Sequence, residues 1–141
     1  MTAAVSGVVI MVSMPVTVLL ADDSDLVRGA IRRLLADHPG ISLLGEATDF
    51  AQTIRMIQEL QPQVVILDLH MSDGKRFTPA QFRAQLNLGS SRLLAISVWD
   101  DEETRSLAAS YGAAKCLDKI NLGTHLIPAI LQLASASSQS A

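Results

Sequence analysis

The 141-residue chain has a single cysteine, Cys116, which excludes an internal disulfide and any cysteine-based zinc site. That scarcity fits a reducing compartment and sets the expectation of a cytoplasmic protein. Aromatic residues make up only 4% of a chain that is 49% hydrophobic, so the core must be built from Leu, Ile, Val and Ala. Charge of one sign is not in excess either. A net charge of -3 gives no global reason to bind nucleic acid or an acidic surface. No charged side chain occurs in the first 21 residues. A secretory leader would need a basic start, and the first basic residue is Arg28. A membrane span needs about 20 apolar residues, and this stretch is diluted by Thr2, Ser6, Gly7, Ser13, Pro15 and Thr17. Met14-Pro15 is an alternative start, which leaves residues 1–13 as an N-terminal extension expected to be unstructured. No Gly-rich phosphate loop follows the first strand, which disfavours nucleotide binding.

What the chain does contain is short buried strands that end in oxygen ligands. Val64-Val65-Ile66-Leu67-Asp68 is the clearest. Four consecutive apolar residues read as a strand covered on both faces, as in a parallel sheet. Val16 to Ala21 is a second such run and ends at Asp22 and Asp23. Arg92 to Ser97 is a third and ends in a hydroxyl. Ile41 to Ala47 and Ala114 to Asp118 complete five strands, the last followed by Lys119.

Helical signals alternate with these runs. Ser24 offers an N-cap, and Leu26, Val27, Ala30, Ile31, Leu34 and Leu35 share helical spacing. His38-Pro39-Gly40 stops that helix. Asp49 can cap a second helix, bearing Phe50, Ile54, Ile57 and Leu60, that ends before Pro62. Gly74, in the loop from His70 to Lys75, is available for a positive φ. Thr78-Pro79 opens a third helix carrying Phe82 and Leu86. Asp100 and Asp101 favour the start of a fourth, closed at Tyr111-Gly112. Leu126, Ile127, Ile130, Leu131 and Ala134 mark the fifth, which is expected to begin near Thr124 or His125 so that Pro128 stays in its first turn. Ser135 to Ala141 reads as a frayed, disordered tail. Five βα units in alternation, with no linker or internal repeat, imply one α/β domain with a parallel sheet between helix layers.

In such sheets the ligand crevice lies beyond the carboxyl ends of the strands, which brings Asp22, Asp23 and Asp68 together. At about 5 Å and an effective dielectric of about 20, each carboxylate pair costs roughly 3 kcal/mol. Such a cluster calls for a cation, and hard oxygen ligands suit Mg²⁺. His38, His70 and His125 are scattered and read as surface or loop residues rather than side-chain ligands. A carboxylate beside a metal can act as a nucleophile toward phosphorus. The transferred oxygens then need a hydroxyl and a fixed cation, for which Ser97 and Lys119 are the candidates.

Asp22-Asp23, Asp68, Ser97 and Lys119, at spacings of 45, 29 and 22 residues from Asp23 onward, resemble the signature of the receiver domain of two-component response regulators. The segments Leu-Ala-Asp-Asp-Ser (20–24), Asp-Leu-His-Met (68–71) and Tyr-Gly-Ala (111–113) carry the same resemblance, which spans about residues 16–134. Ser97-Val98-Trp99-Asp100-Asp101-Glu102-Glu103 resembles the receivers of LuxR/NarL-type regulators, which are normally attached to a helix-turn-helix domain; none follows here, and a stand-alone receiver is expected.

The resemblance implies a flavodoxin-like, doubly wound (βα)5 fold with strand order 2-1-3-4-5 over residues 14–134. It implies that Asp68 is the phosphoacceptor, served by a histidine kinase or phosphotransfer protein. Mg²⁺ would be held by Asp22, Asp23, Asp68 and the backbone carbonyl of His70. Ser97 would hydrogen-bond the phosphoryl group and Lys119 would pair with it. The output would pass to another protein, with no direct nucleic-acid or membrane contact and no turnover chemistry. A dimer formed on phosphorylation is left open. Three positions depart from the family pattern. Met71 is followed by Ser72 rather than proline, Lys119 is followed by Ile120, and the usual switch aromatic is replaced by Cys116. Two other functions are weighed. A receiver-like adaptor that works without phosphate is favoured only by Cys116. A Mg²⁺-dependent phosphohydrolase with Asp68 as nucleophile would want a second acid at the position of His70.

Overall fold

The computed structural model describes the backbone of residues 2–5, 8–11 and 14–139, and the side chains of 14–86 and 89–135. Two short strands come first, β1 (Thr2–Val5) and β2 (Val8–Met11), paired antiparallel in a ladder of their own. The expected unstructured extension therefore carries regular backbone pairing, in keeping with the β-propensity of Val5, Val8, Val9 and Ile10. The remainder alternates as β3 (Val16–Ala21), α1 (Asp25–Ala36), β4 (Ile41–Ala47), α2 (Phe50–Leu60), β5 (Val64–Asp68), α3 (Pro79–Gly89), β6 (Arg92–Ser97), α4 (Glu102–Ser110), β7 (Lys115–Asp118) and α5 (Leu122–Gln139).

These five strands form one parallel sheet in the order β4-β3-β5-β6-β7. Counting only them, this is 2-1-3-4-5, the flavodoxin-like receiver fold. β5 lies at the centre with all five residues buried, as its unbroken apolar run demands. Alternate side chains divide the core. Val18, Leu20, Ile66, Leu94 and Ile96 meet Ile31, Leu35, Leu126 and Ile130 of α1 and α5. Leu19, Val65, Leu67 and Leu93 meet Phe50, Ile57, Phe82 and Ala108 of α2, α3 and α4. Three of the few aromatics fuse on this second face. Phe50 stacks on Tyr111 at 5.6 Å and 9°, and Phe82 stands edge-on to both.

Three helix starts follow the predicted caps, and at the fourth Asp101, expected only to favour the helix start, is itself the cap. Ser24, Asp49, Thr78 and Asp101 each accept an N–H from the first turn of their helix, and Gln81 completes a capping box with Thr78. Gly112 takes φ +85° after α4, the left-handed conformation that suits glycine.

Four expectations need correction. Gly74 does not have a positive φ; it opens a 3₁₀ turn, Gly74–Arg76. Its lack of a side chain serves close packing instead, because a Cβ there would lie 3.2 Å from Phe50 Cε2. α5 begins at Leu122, so Pro128 lies in its interior. Burial of Leu122 and Leu126, at about 1.5–3 kcal/mol each, outweighs the lost backbone hydrogen bond. The backbone of α5 also continues to Gln139, through most of the expected tail, since neither Gly nor Pro interrupts 129–139. Finally, Leu26 is 80% exposed and Leu131 faces out, whereas Ala129 and Leu133 supply the buried stripe of α5. Among the described residues, no helix is long and apolar enough to cross a membrane.

Candidate functional site

The carboxyl ends of β3, β5 and β6 converge at one edge of the sheet. Asp22 follows β3 and is fully buried; Asp68 ends β5 and is nearly so; Asp23 is exposed at the mouth. One carboxylate oxygen from each can be chosen so that all three lie within 4.8 Å of one another. Lys119, immediately after β7, reaches across. Its Nζ stands 2.7 Å from Asp22 Oδ2 and 3.5 Å from Asp68 Oδ1.

Backbone donors fix both buried carboxylates. Asp22 Oδ1 accepts the Ser24 N–H at 2.8 Å, and Asp68 Oδ1 accepts the His70 N–H at 3.1 Å. Asp22 Oδ2 is buried and receives no aimed hydrogen bond, only the charge of the lysine. Three clustered carboxylates compensated by one lysine suit a hard divalent cation. The residues present therefore fit Mg²⁺, with Asp22, Asp23 and Asp68 as its side-chain ligands. Burial pushes the Asp68 carboxyl above its ordinary range, and the Asp22 charge pushes it further. The His70 N–H and Lys119 oppose the shift.

Ser97 ends β6 next to this cluster. In the β5–β6 register Asp68 faces Ile96, so Ser97 stands one residue beyond the partner of Asp68. Its hydroxyl is fully buried, and Oγ accepts the Trp99 N–H at 3.1 Å. Cys116 lies on the edge strand β7 opposite Ala95. It is half-buried against the α2–α3–α4 face, and burial raises its thiol pKa. Tyr111 is buried in the aromatic cluster rather than placed beside Ser97.

The turn after Lys119 has its own anchor. The Ile120 N–H donates to Asp118 Oδ1 at 2.9 Å, a bond that a proline at this position could not make. It fixes the 3₁₀ turn Lys119–Asn121 and with it the stem of the lysine.

Two further residues support the site and were not evident in the sequence. Arg28 Nη1 donates to the Asp22 main-chain carbonyl at 2.6 Å, and the same guanidinium contacts Asp25 and Glu46. Glu46 in turn takes a bidentate pair from Arg32 at 2.7 and 2.9 Å, which chiefly holds its carboxyl below the usual range. Asp73, in the loop after Asp68, accepts the Phe50 N–H at 2.8 Å and the Ala51 N–H at 3.1 Å. It thereby pins the loop after Asp68 to the start of α2. Nothing local to Asp73 identifies donors 22 and 23 residues earlier.

A doubly wound α/β domain with an acidic cluster and a lysine at its strand ends defines a class of aspartate-centred receivers. The family model for the response regulator receiver domain matches residues 18–131, and the chain belongs to that family. It is 31% identical over 121 residues to the nitrate/nitrite response regulator protein NarL of Escherichia coli K12, covering 86% of this chain and 56% of that protein. It is 30% identical over 106 residues to the response regulator GacA of Pseudomonas syringae, covering 74% of this chain and 48% of that protein. The chain thus spans about half the length of these relatives. Among solved structures, the signal receiver domain of a NarL-type regulator from Mycobacterium tuberculosis superposes with a TM-score of 0.77 at 30% identity. That match covers 87% of this chain and 98% of the other. The isolated receiver domain of RcsB from Salmonella enterica, in the presence of BeF3-, shares the fold with a TM-score of 0.74 at 21% identity; 86% of this chain and 89% of that one are covered.

Proposed function

We propose that Asp68 accepts a phosphoryl group from a phosphohistidine of a histidine kinase or phosphotransfer protein, in a Mg²⁺-dependent step. The domain so modified then signals by binding another protein. The observation that carries this reading is the cluster of Asp22, Asp23 and Asp68, three carboxylates within 4.8 Å of one another that are met by a single ammonium, Lys119. One ammonium leaves that cluster with excess negative charge, which a divalent cation would neutralise.

In this reading a carboxylate oxygen of Asp68 attacks phosphorus; the P–N bond to the donor imidazole breaks as the P–O bond forms. Asp22, Asp23, Asp68 and the His70 carbonyl would hold Mg²⁺, which would supply charge neutralisation for the phosphoryl oxygens. Lys119 moves its charge from Asp22 toward the phosphoryl group, and the Ser97 hydroxyl donates to it. The raised pKa of Asp68 reflects a carboxylate whose negative charge is poorly solvated. Such an oxygen is more basic, and the neighbouring cations restore its ionised, nucleophilic form. The reading is tested by adding beryllofluoride with Mg²⁺ and recording fluorine NMR. A bound resonance is expected for the wild type and none for Asp68→Asn. A bound resonance that survives in Asp68→Asn would overturn the assignment.

A further inference from the structure

A cavity of about 320 Å³ lies beside the acidic cluster but outside it, lined by His70, Trp99, Asp101, Glu103, Thr104 and Leu107. Its two walls hang from the reactive oxygens. His70 is held by its N–H on Asp68 Oδ1 and Trp99 by its N–H on Ser97 Oγ, each at 3.1 Å. Phosphoryl transfer to Asp68 would turn its carboxylate into an acyl phosphate, toward which the Ser97 hydroxyl would donate. A change at Asp68 would therefore act on both sides of the cavity.

The chemistry of the lining is specific. Trp99 is 59% exposed, so its indole is presented to solvent in a cavity that Leu107 also lines. Carboxylates form the rim. Asp101 Oδ1 is engaged with the Thr104 N–H at 2.8 Å, while Glu103 has no hydrogen bond or ion pair among the described residues. The nearby cation Arg105 is paired with Asp100 at 3.1 Å and has no ion pair with Glu103. An apolar floor, an exposed indole and an uncompensated carboxylate complement an arginine. Its alkyl stem covers Leu107, its guanidinium stacks on the indole, and its donors meet Glu103.

We propose that this cavity is a docking site for a protein partner that inserts an arginine next to an aliphatic residue, and that phosphorylation of Asp68 resets its affinity. The gated part rests on the phosphoacceptor reading; the charge selectivity does not. The probe is N-acetyl-leucyl-arginine amide, with the glutamate peptide as control. Binding is read from the fluorescence of Trp99, the only tryptophan, with and without beryllofluoride and Mg²⁺. Saturable binding of the arginine peptide alone is expected, with an affinity that differs at least threefold between loaded and free protein. Glu103→Gln should weaken it at least threefold. Equal binding of both peptides, or wild-type affinity in Glu103→Gln, would overturn the docking site. Equal affinity in protein shown by fluorine NMR to be loaded would overturn the gating. A peptide-free fluorescence change that tracks protein concentration, together with a doubled sedimenting mass, would give the cavity to a second copy of this chain and overturn the assignment to a separate partner. A missing fluorine resonance would instead strike the phosphoacceptor reading, and charge selectivity in the unloaded protein would still decide for or against the site.

Discussion

Lys119 stands nearer to Asp22 than to Asp68: its Nζ is 2.7 Å from Asp22 Oδ2 and 3.5 Å from Asp68 Oδ1. The lysine therefore compensates the oxygen that a divalent cation would take, and a metal entering the cluster must displace its charge. Removing one partner from a buried ion pair destabilises, here by on the order of 3 kcal/mol at most because Lys119 keeps some solvent contact. Lys119→Met should thus lower the melting temperature without metal. It should also enlarge the stabilisation by Mg²⁺, since the ion no longer competes with an ammonium. Thermal denaturation across a Mg²⁺ titration checks both. A weaker Mg²⁺ response in Lys119→Met would show that the lysine does not compete for the site.

The raised pKa of Asp68 fixes the sign of a pH effect. Between the ordinary aspartate range and the raised value, the native state holds a proton that the unfolded state has lost. Stability must therefore fall as pH rises through that window and stay lower above it. Asp68→Asn cannot ionise, so it should lose this fall and exceed the wild type in stability at neutral pH without metal. Denaturant unfolding at several pH values measures it. Parallel profiles for the two proteins would contradict the burial of charge at this position.

Asp73 ties the loop that carries His70 to the start of α2 through two backbone N–H groups. Asp73→Ala should cost about 1 kcal/mol, as for loss of a helix cap. It should also weaken Mg²⁺ binding several-fold, because the His70 carbonyl belongs to the loosened loop. Asp73→Asn, which keeps an acceptor, should recover part of both. Calorimetric Mg²⁺ titration separates them, and an unchanged Mg²⁺ affinity in Asp73→Ala would confine Asp73 to stability alone.

The fold was legible wherever one local rule acted without competition. The run Val64–Leu67 is buried on both faces, so its apolar continuity sufficed. Ser24, Asp49 and Thr78 act within their own first turns, so their caps could be read directly. The start of α5 was misread because the rule for Pro128 competes with the burial of Leu122, a tertiary effect. Gly74 was read as a conformational glycine, whereas it makes room for Phe50, more than 20 residues away. Asp22, Asp23, Asp68, Ser97 and Lys119 stand out because each follows or ends a strand of one parallel sheet. Arg28 and Asp73 support them through main-chain groups, which leave no trace in side-chain identity.

The most direct test of the account is intact-mass analysis after incubation with acetyl phosphate and Mg²⁺. The wild type should gain one phosphoryl mass that hydroxylamine removes, as for an acyl phosphate. Asp68→Asn should gain none, and chelation of the metal should suppress the gain in the wild type. Equal labelling of wild type and Asp68→Asn would contradict the assignment of Asp68 as the phosphoacceptor, as would a wild type that takes up no phosphoryl group with Mg²⁺ present.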